Sequence, residues 1–146
     1  MSTRWKVLLA LAILPTAIAG LYLYERIRVQ FFYAGRPVLS EMAAIHDGVW
    51  SDDSTPVRQT LLQRFPIGTT KDSITAALSK EGFGCEQRHD GVRAVPADVV
   101  RRKEEYVDCQ LLVEEILGSR RWIIDLWFDD DDHLRGARAA IWNIFL

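Results

Sequence analysis

Cysteine, histidine and net charge are all scarce in this chain. Its 146 residues include two cysteines and three histidines, and 18 Lys and Arg against 20 Asp and Glu leave a formal net charge of -2. A surface so balanced offers no electrostatic footing for nucleic acid, which requires a basic stripe or patch. There is no CxxC pair, no Gly-x-Ser-x-Gly elbow, no Walker loop and no dinucleotide fingerprint. The serines fall at expected caps and turns, where local hydrogen bonding accounts for them. Each histidine adjoins an aspartate (His46-Asp47, His89-Asp90, Asp132-His133), without the wider ligand set a metal phosphohydrolase needs. The aspartate run at 129–132 lacks the glycine and terminal glutamate of a calcium-binding EF-hand loop. These absences predict no cofactor, no metal site and no enzyme.

Apolar sequence is present and unevenly spread. After Arg4 and Lys6, Val7 to Tyr24 is an uncharged run of 18 residues, closed by Glu25, Arg26 and Arg28. As a helix it would extend about 27 Å at ~1.5 Å per residue, against a hydrocarbon core of ~30 Å. Two readings follow: a retained single-pass anchor, with Tyr22 and Tyr24 at interfacial depth, or a signal peptide cleaved after Ala17-Ile18-Ala19. Both export the remainder. No cysteine follows the apolar run closely, which argues against a lipoprotein anchor. The expected location is therefore a bacterial inner membrane, crossed once through residues 7–24, with the C-terminal domain in the periplasm. The expected boundaries are an anchor or signal with its helical extension at 1–35 and an exported α+β domain at 36–146.

Within that domain, Leu39, Met42, Ala43 and Ile45 have the spacing of a short amphipathic helix. Ser54 or Thr55 before Pro56 predicts a helix start, and Val57, Leu61, Leu62 and Phe65 its apolar face. Pro66 and Gly68 interrupt, and Thr69 or Thr70 is positioned to cap a helix over 70–81. Ile74, Ala77, Leu78 and Glu81 form one stripe of that helix, and Gly82 stands where a C-terminal cap requires positive φ. From Phe83 the pattern becomes extended. The stretch 106–113 alternates as a strand, and Gly118-Ser119 reads as a turn. The strongest strand is 121–128, with Trp122, Ile124, Leu126 and Phe128 on one face and Ile123, Asp125 and Trp127 on the other. Residues 129–132 turn the chain into a last strand over 134–142. The predicted architecture is α+β: an N-terminal transmembrane helix, then two short helices packed on an antiparallel sheet of three or four strands. A single long helical arm over 38–65 is the alternative.

The Gly68-Thr69 turn before a helix carrying Ile74 and Leu78, its glycine stop, and Phe128-Asp129 to Leu134 in the last hairpin resemble the SmpA/OmlA family. Its members are small lipoproteins of the β-barrel assembly machinery, sharing a two-helix, three-strand fold with β-lactamase inhibitor proteins. The resemblance spans about 65–139 and implies that fold and an envelope location. The lipobox cysteine of the family is absent, its Leu-Gly-x-Pro is here Gly82-Phe83-Gly84-Cys85, and the stretch 89–105 is longer.

Cys85 and Cys109 fall on successive predicted strands, so antiparallel pairing would bring them together. In an oxidising compartment a bridge closing about 25 residues would contribute roughly 3 kcal/mol in the loop-entropy model. The expected function is a membrane-tethered, non-catalytic module that binds a protein partner in the envelope or aids assembly there. Trp127 is the expected contact residue beside Asp125, because an exposed aromatic with polar neighbours is a typical contact hot spot. The alternatives are a small envelope hydrolase using His89, Asp90 and His133, or an inhibitor or immunity-type protein.

Overall fold

A computed structural model describes residues 3–46, 51–89, 105–115 and 118–145, with side-chain surroundings from Ile13 to Ile144. The chain divides into two compact units, Met1–Gly35 and Arg36–Leu146. The first is a single helix, α1 (Thr3–Ala34), which runs through Pro15. Glu25 and Arg28 pair along it at 2.8 Å, and the Arg26 guanidinium lies over the Tyr22 ring.

The expected transmembrane helix is overturned: among the described residues, no helix is long and apolar enough to cross a membrane. Within α1 the uncharged run 7–24 is interrupted by Pro15, Thr16 and Gly20. Residues 7–12, which the expectation also required, lie outside the described side chains. The single-pass anchor and signal-anchor readings are corrected accordingly, and the bilayer contact expected of residues 7–24 rested on them.

In the second unit three helices, α2 (Pro37–Ile45), α3 (Thr55–Arg64) and α4 (Lys71–Lys80), precede four strands, β1 (Gly84–Arg88), β2 (Tyr106–Glu115), β3 (Gly118–Phe128) and β4 (Leu134–Phe145). The strands form one antiparallel sheet in the order β1-β2-β3-β4. The helical layer thus has three members, where two were expected, and it is not one long arm. Prolines explain two of the starts: Pro37 and Pro56 sit in first turns, where a missing N–H costs nothing.

The three helices lie on one face of the sheet. Leu111 on β2 is the nearest neighbour of a Cβ built at Gly82, His46 after α2 meets Trp122 of β3 edge to face, and the Lys71 ammonium at the head of α4 stands 5.9 Å from the Phe128 ring centre. Between the layers Leu39, Met42, Val57, Leu61, Ile74 and Leu78 are buried against Trp122, Ile124, Leu126 and Ile141. Side chains of this size contribute about 1.5–3 kcal/mol each on leaving water, which makes this layer the main source of stability.

Helix ends show where local reading stopped. At the C-terminus of α4 the Gly82 N–H donates to the Ser79 carbonyl and the Phe83 N–H to the Leu78 carbonyl, with Gly82 at φ 93. That is the Schellman arrangement, which a side chain at Gly82 would strain. The N-termini differ from expectation. Neither Ser54 nor Thr70 caps its helix through its side chain, and Thr69 Oγ1 donates instead to the Pro66 carbonyl. Glu81, expected on the apolar stripe of α4, is buried and caps α2. Its two carboxylate oxygens accept the Val38 and Leu39 N–H groups at 2.8 Å each, while Arg36 Nε donates to the Glu81 carbonyl. A carboxylate at a helix N-terminus meets both orphan donors and the positive end of the dipole.

Candidate functional site

Side-chain alternation sends the other half of each strand to the second face, and the register orders them in rows. The first row is Arg88, Tyr106, Trp127 and Gly136. The second is Glu86, Asp108, Asp125 and Arg138. Then come Gly84, Gln110, Ile123 and Ala140, followed by Leu112, Arg121 and Trp142.

Trp127 is half-buried, and its ring is 6.1 Å from that of Tyr106 and tilted against it. On its other flank the β4 partner is Gly136, and a Cβ built there would meet nothing within 4 Å among the described residues. Among those residues the indole borders open space on the β4 side. A register shift between Trp127 and Phe128 marks the end of regular pairing here, as irregularities that re-aim side chains often do.

Asp125 does not accompany Trp127 as an exposed neighbour. It is 1 % exposed, and its Oδ2 is 3.2 Å from Arg138 Nε. Directly opposite on β2, Asp108 is also buried; its Oδ2 accepts from Gln110 Nε2 at 2.7 Å and lies 3.8 Å from Arg88 Nε. Two carboxylates side by side in little water repel, and an arginine on each flank offsets that cost. Asp125 thus supports the row beside Trp127 from within the sheet.

The remaining candidates disperse. Cys85 and Cys109 are opposite in register and joined by a disulfide. His89, just after β1, and His133, just before β4, lie at the same end of the sheet beside its two outermost strands, which are three interstrand spacings of ~4.8 Å apart. Each faces its own carboxylate, His89 Nδ1 to Glu105 at 2.9 Å and His133 Nδ1 to Asp129 at 3.7 Å. Asp90, the third member of the hydrolase set, lies outside the described residues. Among the described residues no group of three or more His, Cys, Asp or Glu could hold a metal ion. In the aspartate turn, the Asp129 carboxylate is held below its ordinary pKa chiefly by the His133 backbone N–H at 2.7 Å, with a further contribution from the Asp131 N–H at 3.1 Å.

Tyr106, Gly136 and Arg138 escaped the sequence reading, which placed a turn at Gly118-Ser119. Gly118 in fact opens β3 and pairs with Glu115, so only two residues separate the strands. That shift changes the partners of Asp125 and Trp127 on β2 without changing their face. Comparison of the chain with protein-family models, with curated proteins and with solved structures gives no match.

Proposed function

We propose that residues 36–146 form a non-catalytic protein-binding module working in an oxidising compartment of a bacterial envelope. The observation that carries this reading is the open flank of Trp127 over Gly136, with Tyr106 stacked behind the indole. A large apolar ring, backed by a second ring and bordered by room for one side chain, suits a partner that inserts an apolar residue there. Arg138 on the neighbouring β4 and Arg88 on β1, two strands away, add polar groups to the same face. The Cys85–Cys109 bridge supports the compartment, since such bridges persist where the medium is oxidising. The resemblance to SmpA/OmlA proteins points the same way and belongs to this proposal.

Gly136 supplies a mild test, because among the described residues a Cβ there meets no neighbour within 4 Å. Crosslinking of the full chain in its producing cell should yield a defined protein partner. Both Trp127→Ala and Gly136→Val should lower the yield by about tenfold or more, the size of a hot-spot loss. Capture of the same partner at wild-type yield by both variants refutes the reading.

A further inference from the structure

Strand β1 is the most weakly embedded strand of the sheet. It has five residues, pairs among the described residues with β2 alone, and exposes Gly84, Glu86, Gln87 and Arg88. Most of its side-chain ties face solvent: Lys71 Nζ to Gln87 at 3.1 Å, Gln87 Nε2 to Glu105 at 3.1 Å and Arg88 to Glu86; Arg88 also lies 3.8 Å from the buried Asp108. Exposed polar pairs of this kind add little. The one covalent tie is the disulfide within the ladder, where Cys85 faces Cys109. Its two sulfurs differ in surroundings, since Cys85 is half-buried at the sheet margin while Cys109 is fully buried under the helical layer.

We propose that the Cys85–Cys109 bridge is a reducible latch that holds β1 on the sheet, opened from the Cys85 side by a dithiol reductant. In the opening step a thiolate of the dithiol attacks Cys85 Sγ. The bond between the two sulfurs breaks, and Cys109 Sγ leaves with the electron pair and takes up a proton. The second thiolate of the reductant then attacks its own sulfur in the mixed disulfide, releasing Cys85, which is protonated in turn. The protein gains two electrons and two protons, and the reductant departs as a disulfide. Without the bridge, β1 relies on one short ladder and a few side-chain pairs, most of them exposed, so local opening becomes accessible while β3 and β4, buried on the helical face, stay closed.

Hydrogen exchange on the full chain tests the latch. On reduction, the amides of Gly84–Arg88 should lose protection by about tenfold or more, whereas those of β3 and β4 should change by less than about twofold. Unchanged protection of β1, or loss throughout all four strands, would overturn the proposal. The route of opening is read by treating the oxidised protein with limiting glutathione, quenching in acid and mapping the first adduct. It should lie on Cys85; an adduct on Cys109, or none, would refute attack from that side.

Discussion

The two edges of the sheet are closed by different means. At β4 the closure is made by main chain from elsewhere. Ser51 and Ile141 exchange backbone hydrogen bonds at 3.0 and 2.8 Å, and the Ser54 N–H donates to the Ala139 carbonyl. Nearer the start of the strand, the Gly68 N–H donates to the Leu134 carbonyl and the Leu134 N–H to the Thr69 carbonyl, while the Lys71 N–H donates to Asp132. Side chains reinforce this, as Trp142 Nε1 donates to Asp52 at 3.0 Å. At β1 the tie is a disulfide inward to β2. An exposed strand edge invites pairing with other chains. One edge here is occupied by the connections leading into α3 and α4, so its security depends on the whole helical layer. The other depends on one five-residue ladder, a few side-chain pairs and one disulfide.

The largest expected effect comes from breaking the dependent edge. Ile141 is fully buried and bonds Ser51 on both sides of its peptide, so Ile141→Ala should cost about 2–5 kcal/mol in denaturant unfolding. Exchange protection at Ser51 and Ser54 should fall with it. A cost under about 1 kcal/mol would show that the edge does not rest on that side chain.

A smaller loss should follow from loosening the layer at a distance. Glu81→Ala leaves the Val38 and Leu39 N–H groups without their carboxylate, and should cost about 2–3 kcal/mol. Glu81→Gln keeps one acceptor and should lose less. Equal losses from the two variants would assign the effect to the full carboxylate at the helix N-terminus, since glutamine keeps the side-chain volume and one acceptor.

The smallest effect concerns the turn entering β4. Because Asp129 is held below its ordinary pKa, its contribution is present above the unfolded value of about 3.9 and disappears as pH falls through the folded value. Acid should therefore loosen this turn as pH falls through that lowered value, while the Cys85–Cys109 bridge, which does not titrate, stays closed. A carboxyl titration by NMR should show Asp129 protonating below a normal aspartate, and Asp129→Asn should remove that part of the acid dependence. A normal titration would deny the turn its hydrogen-bonded carboxylate.

By itself the sequence determined what short-range physics dictates. The stripe Ile74, Ala77 and Leu78, ended by Gly82, specified α4 and its C-cap, since helix periodicity and positive φ are local properties. Alternation over 122–128 assigned the two faces of β3, and cysteines on successive strands made a bridge conceivable. Tertiary structure decided the rest. Asp125 and Asp108 look like surface residues until register sets them together between Arg138 and Arg88, a matter of pairing across strands. Glu81 looks like part of a stripe until α2, some forty residues earlier, presents two free N–H groups to it. An apolar run beginning at Val7 suggested a membrane span, yet no described helix has the length and hydropathy to cross one. The open space beside Trp127 arises only because β4 brings Gly136 opposite. Contacts between residues far apart in sequence follow from packing, and no local pattern encodes them.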